Sequence, residues 1–408
     1  MLRGVTTPPA AGPAAGVEAA PQPKRGSRAP YVVLGLIVLV LLGVQTLNRQ
    51  WSTDYWMYTA TVDALLEDAG DPPHDMTGSD DPSERFTPYT VALAAVVRET
   101  GLASVTVMQL AAIANLILFL VAFELFVTEL TGRRLVAVFA LFATLVMWGI
   151  GPWRWSGYLN LNSIGFGMPW PSMFATGLVL LVGWALLRYD RGGAPGWLVL
   201  VGVGVPAALL SHPYTGGWGI VMLLALAVHR RLYRRDRVVP LLIAAACGAV
   251  LLAAWPYYPF FELGRADSAY SFAMQVMYRN VPLRLAAAVP GFVVVVARFR
   301  RDRTDPLALM LFGGVALYGF GWVTDTPSFG RVLPLILLAA HIGIGILVAD
   351  LVERRRRASA PLVAGLVACV AIGLVGAGPG LLRTVPRGLL PESLREKTSL
   401  RPITDQYT

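Results

Sequence analysis

The sequence predicts an all-α membrane protein, a polytopic bundle of about eleven transmembrane helices with a long acidic loop between the first two. Three observations carry this. Of 408 residues, 55% are hydrophobic and only 14% charged, where soluble domains carry roughly a quarter. Apolar runs recur along the chain, each long enough or nearly long enough to cross roughly 30 Å of hydrocarbon. Arginine and lysine collect in alternate gaps between those runs, as they do in cytoplasmic loops.

Residues 1–28 are rich in Ala, Pro and Gly and end in Lys24, Arg25 and Arg28. Such a composition buries no core and reads as a disordered cytoplasmic tail. The apolar run at 31–47 reads as a retained first span rather than a signal peptide, because no small-residue cleavage pattern follows and Gln45, Asn48 and Arg49 come next. Further runs lie at about 107–129, 135–150, 172–187, 196–210, 217–229, 238–260, 284–297, 306–322, 332–349 and 361–377. The two flanking His212 are short enough to form a broken or re-entrant hairpin.

With the N-terminus inside, the inner loops are those at 133–134, 188–191, 230–237, 298–303 and 354–357, and every one is basic. The outer segments, 48–106, 151–171, 211–216, 261–283, 323–331 and the end of the chain, hold most of the acidic residues. The expected organisation is a tail at 1–28, a transmembrane unit at 29–377 with 48–106 as its first extracytoplasmic loop, and an extracytoplasmic tail at 378–408. The expected location is the inner (plasma) membrane. Because the net charge of +9 is concentrated in these loops, it sets topology and calls for no nucleic acid. Cys247 and Cys369 both lie in apolar runs and form no disulfide framework or metal motif.

The polar chemistry is concentrated in the first outer loop, where ten carboxylates fall between Asp54 and Glu99. Asp54, among Trp51, Tyr55, Trp56 and Tyr58, is the candidate general base, since partial desolvation at the membrane edge raises a carboxylate's basicity. The plainer reading is a helix-capping Asp. Asp63, Glu67, Asp71 and Asp75 recur at near-helical spacing, the mark of a water-facing flank. His74, Asp80 and Asp81 are candidate ligands for a divalent cation such as Mg or Mn; Gly78, Ser79 and Pro82 equally make the stretch a turn.

The other outer segments share Trp, Tyr, Asn, Pro and Gly, as in the run from Gly151 through Arg154 to Asn160. That composition fits an interfacial aromatic belt, and it also fits carbohydrate, whose ring faces stack on aromatics while its hydroxyls need polar partners. Trp56, Tyr58, Tyr89 and Arg154 are the candidate contacts of this kind. His212, in the turn 211–217, either contacts substrate and moves a proton or caps the helix that follows. Arg331 opens a late span, where a guanidinium needs an anionic partner: a lipid phosphate, the headgroups, or Asp325 in the same short loop. His341 lies mid-span and reads as a packing hydrogen-bonder.

The sequence holds no Walker loop, GxGxxG fingerprint, GxSxG elbow or HExxH helix. Ionisable residues inside the spans are rare, which weakens an ion-coupled carrier.

Three places together resemble the GT-C class of polytopic glycosyltransferases, which use polyprenyl-phosphate-linked sugars. Asp54 stands in the outer loop just after the first span. Arg85-Phe86-Thr87-Pro88-Tyr89, continuing to Gly101, is similar to the Pro-containing amphipathic segment before span two. Gly330-Arg331-Val332-Leu333-Pro334 is similar to the pattern that opens a late span, with Val332 where an aromatic is common. The resemblance implies a GT-C-like fold, Asp54 as base, Arg331 at the donor phosphate, and inversion at the transferred sugar. Its partners would be a polyprenyl-phosphate sugar donor, a glycan, lipid or protein acceptor of the bacterial cell envelope, and the bilayer. A lipid-linked saccharide flippase or a non-catalytic partner subunit on the same scaffold is the alternative.

Overall fold

The computed structural model describes residues 26–47, 54–151, 154–192, 194–265, 271–353, 359–385 and 387–394. Most of the expected N-terminal tail, Trp51, the basic run at 354–357 and the last fourteen residues lie outside them. Among the described residues every regular element is helical. In order these are α1 (Ala29–Leu47), α2 (Asp54–Glu67), α3 (Pro88–Thr100), α4 (Ser104–Thr131), α5 (Arg134–Val146), α6 (Leu161–Gly167), α7 (Pro171–Gly192) and α8 (Gly196–Ser211). They continue as α9 (Pro213–His229), α10 (Arg235–Ala253), α11 (Ser271–Met274), α12 (Val281–Leu285), α13 (Val289–Arg301), α14 (Pro306–Val323), α15 (Leu333–Glu353) and α16 (Ala360–Arg383).

By length and composition seven helical stretches suffice to cross a membrane: α1, α4, α7, Val281–Arg301, α14, Pro327–Glu353 and α16. Helices α5, α8 and α9 and residues Arg237–Ala253 of α10 are apolar but shorter. Three boundaries differ from expectation. The acidic loop is largely helical, holding α2 and α3. Helix α5 stops at Val146 because the chain leaves it to pair with the segment before α13, through Ile150 N–H to Leu283 O (3.0 Å) and Ala287 N–H to Trp148 O (2.9 Å). Helix α16 runs on to Arg383, six residues past the expected end of the transmembrane unit, so this arginine belongs to a helix and not to a tail.

Small residues set the packing. Between helices in a lipid phase, close backbone approach replaces the hydrophobic drive that water supplies. Gly291 of α13 is so close to α15 that a Cβ there would overlap Ala340 O, and Gly343 returns the contact from the other side. Phe119, Phe123 and Phe126 of α4 fill the centre of the bundle. His341 behaves as expected of a packing residue, its Nε2 facing Met147 O at 2.9 Å and its ring 6.1 Å from Trp148.

Ion pairs define one end of the bundle. Arg28 grips Glu124 of α4, and Arg134 lies 3.6 Å from the same carboxylate. Arg191 pairs with Glu129, Arg133 with Asp350 and Glu353, and Arg298 with Asp305. The helix ends that share these pairs are those flanking the loops read as basic. The opposite end gathers α2, α3, α6, the turn between α8 and α9, and the approach to α15.

Candidate functional site

Arg331 anchors the aromatic end. It sits in a 3₁₀ helix, Pro327–Val332, that leads into α15. Its Nη1 donates to Ser156 O at 2.8 Å. The guanidinium carbon lies 4.6 Å from the Trp155 ring centre and 5.1 Å from that of Tyr214, so two aromatic faces hold the fork flat. The clasp is reciprocal, because the Tyr158 hydroxyl donates to Gly330 O at 3.0 Å. Gly157 makes the loop possible: its φ is +78°, and a side chain there would press on Thr215 Oγ1 and the His212 ring.

His212 joins the same cluster as the cap of α9. Its Nδ1 accepts from Thr215 N–H at 3.2 Å, which leaves the ring proton on Nε2, 3.3 Å from Ser156 Oγ. Burial, with Arg331 adding to it, pushes this imidazole down to about 3. The ring is therefore neutral at physiological pH, and its place is to hold Ser156 under Arg331. Of the two sequence readings, the cap is seen in the contact with Thr215 N–H.

Asp54 opens α2, and Tyr58 lies one turn on, on the same face. Both act on Arg331: the groups whose charge bears on the guanidinium are Tyr158, Tyr214, Tyr58 and Asp54. Burial raises the Tyr58 hydroxyl above its ordinary value, and the charge of Asp54 raises it further. Arg85 and Glu84 also act on Tyr58, and Glu84 acts on Tyr214. Carboxylate, guanidinium and phenols from α2, the 84–85 turn, the 155–158 loop, α9 and the 3₁₀ helix thus bear on one region about Arg331, the Arg331 chamber.

Beside it opens a cavity of about 360 Å³ lined by His74, Ser83, Glu84, Arg85, Tyr258 and Glu262 among others. Its wall is rigid for a definite reason. The Asp75 carboxylate, fully buried, accepts from Thr61 Oγ1, from Ser83 Oγ at 2.8 Å and from Arg85 Nη1 at 3.0 Å. Trp255 Nε1 donates to Phe86 O and the Tyr257 hydroxyl to Ala69 O, both at 2.9 Å, tying the loop down from above α10. Thr87 and Thr90 close a reciprocal cap on α3.

No family model matches the chain, and no curated protein does. Among the solved structures that are similar are two of oligosaccharyltransferases from Archaeoglobus fulgidus. One, AglB in complex with an inhibitory peptide and a dolichol-phosphate, is 14% identical with a TM-score of 0.47 over 91% of this chain and 60% of its own. The other, a complex with Zn and sulfate, is 13% identical with a TM-score of 0.48 over 91% of this chain and 57% of its own. The chain therefore spans about three fifths of the length of these proteins.

The remaining expected site residues fall elsewhere. The Tyr89 hydroxyl donates to Pro169 O and accepts from Asn115 Nδ2, with its ring stacked on Phe174, which packs it in the core. Trp56 is 68% exposed on the outer side of α2, packed edge-on to Tyr55 and turned from the chamber. Asp325 is exposed in a left-handed turn and, among the described residues, forms no ion pair with Arg331. The Arg154 guanidinium carbon lies 5.9 Å from the Phe166 ring centre.

The candidate metal ligands do not converge. His74 Nδ1 accepts from the Met76 and Thr77 amides, Asp81 accepts from Ser79 Oγ, and among the described residues no group of three His, Cys, Asp or Glu side chains fits an ion. The stretch is a turn, as Gly78, Ser79 and Pro82 also suggested. Sequence reasoning missed Tyr158, Tyr214 and Glu84, whose only signal was membership of outer segments. It also missed Arg383, which was expected in a tail.

Proposed function

We propose that this protein is an inverting glycosyltransferase that moves a sugar from a polyprenyl-phosphate donor to an acceptor hydroxyl, with the aromatic end of the bundle facing outward. One feature supports this above the rest: Asp54 and Tyr58 of α2, far from Arg331 in sequence, are among the groups whose charge bears on its guanidinium. In this reading Asp54 takes the proton of the acceptor hydroxyl. The freed oxygen attacks the anomeric carbon from the face opposite the phosphate, the carbon–oxygen bond to phosphate breaks, and the lipid phosphate departs with the bonding pair. Arg331 neutralises that phosphate. Its Nη1 is committed to Ser156 O, whereas its Nε is buried with no acceptor, a donor held ready for the leaving group.

The 360 Å³ cavity beside the chamber suits the acceptor, since Glu84, Glu262 and His74 offer partners for hydroxyls. The acceptor class proposed is a bacterial envelope glycan, in keeping with the Ala-, Val- and Arg-rich composition of the chain.

The test is Asp54→Asn in the purified full chain, assayed for transfer from a panel of polyprenyl-phosphate sugars in lipid nanodiscs. Loss of a general base lowers turnover by about 10²–10⁴. Turnover within threefold of wild type, with the variant folded, would remove Asp54 from the base role and the reading with it.

A further inference from the structure

Arg383 ends α16 and is 2% exposed. Its Nε and Nη1 are both buried and have no hydrogen-bond acceptor. Among the described residues no carboxylate pairs with it; the charged group that bears on it is another cation, Arg154. The two arginines share Phe166 of α6, with the Arg383 guanidinium carbon 4.1 Å and that of Arg154 5.9 Å from the ring centre. A buried guanidinium without a counter-charge is costly, and a second cation nearby makes it more so. Such a pair persists where an anion completes it, and guanidinium forks match the oxygens of a phosphate.

We propose that Arg383 and Arg154, set about the Phe166 ring, hold a phosphate-class oxyanion at the aromatic end, separate from the Arg331 chamber. Neither arginine is among the charged groups that act on Arg331. The 154–158 loop lies between the two places, giving Arg154 to this one and Ser156 to Arg331. Arg383 brings buried, directed donors, and Arg154, which is exposed, supplies charge from the open side. The adjacent Asn162 Nδ2 donates to Gly376 O and fixes α6 on α16, so the ring between the arginines is rigidly placed. The anion belongs either to a phospholipid headgroup or to phosphate from solution.

The experiment is native mass spectrometry of the full chain in detergent, titrated with dioleoyl phosphatidic acid. Arg383→Met is expected to lose one high-affinity lipid relative to wild type, and Arg154→Gln to weaken that same lipid about tenfold. Arg331→Met is expected to leave this lipid bound, which separates the site from the proposed donor site, and loss of the same lipid in that variant overturns the separation. Displacement of the Arg383-dependent lipid by inorganic phosphate shows a site open to free phosphate, and retention shows a headgroup site. Unchanged stoichiometry in Arg383→Met overturns the proposal. Should that variant not fold, unchanged affinity in Arg154→Gln overturns it.

Discussion

Asp75→Ala is the perturbation that most directly tests how the cavity wall is built. Asp75 is fully buried and accepts from Thr61, Ser83 and Arg85; its removal takes this acceptor from the Ser83 hydroxyl and the guanidinium, while Thr61 Oγ1 keeps Met57 O. Breaking a buried charged pair by deleting one partner costs about 3–5 kcal/mol. Arg85 retains 21% exposure and rehydrates in part, which places the loss at the low end, about 3 kcal/mol. The loss is local, because the loop is fastened to α2 and α10 and not threaded through the bundle. Hydrogen exchange reads it at the amides of His74 and Gly78, which donate to Ser79 O and His74 O. A local opening energy reduced by about 3 kcal/mol accelerates their exchange roughly a hundredfold, while amides in α4 and α15 stay protected. Asp75→Asn, which keeps one acceptor oxygen, gives an intermediate acceleration. Exchange within threefold of wild type in the alanine variant would refute the claim that this carboxylate organises the wall.

Two further predictions follow from the Arg331 cluster. Gly157→Ala adds a Cβ at φ +78°, 2.9 Å from Thr215 Oγ1; the left-handed backbone and the overlap together cost about 2 kcal/mol, read as a lowered thermal midpoint, and an unchanged midpoint would mean the loop is not tightly seated. For His212, the unfolded chain takes up its proton near 6.5 and the folded chain only near 3. Its contribution to stability is therefore complete above pH 6.5 and is lost as pH falls through 6.5 toward 3, with a slope below about 1.4 kcal/mol per unit because the residue is half-buried. His212→Asn should flatten that limb in thermal unfolding measured from pH 7 to 4, and an unaltered pH dependence would contradict the buried neutral ring.

Much of this protein follows from its sequence alone. Apolar runs with no polar escape must be helical in a lipid phase, where every backbone donor and acceptor needs an internal partner. The runs therefore located the helices, and the arginine loops located the end where Glu124, Glu129, Asp350 and Asp305 find their partners. Asp54 and Arg331 were legible because each is a costly charge at a span edge. Only the tertiary structure decided which polar residues share a chamber. Tyr89 and Tyr58 are both aromatic residues of the first outer loop, yet one is satisfied by Pro169 and Asn115 and the other is among the groups whose charge bears on Arg331. Arg154 and Ser156, two positions apart, serve different arginines: Arg154 shares the Phe166 ring with Arg383, and Ser156 accepts from Arg331. Arg383 looked like tail because composition cannot show where a helix stops. Its burial beside another arginine depends on α6 and α16 meeting, a contact between residues more than two hundred positions apart.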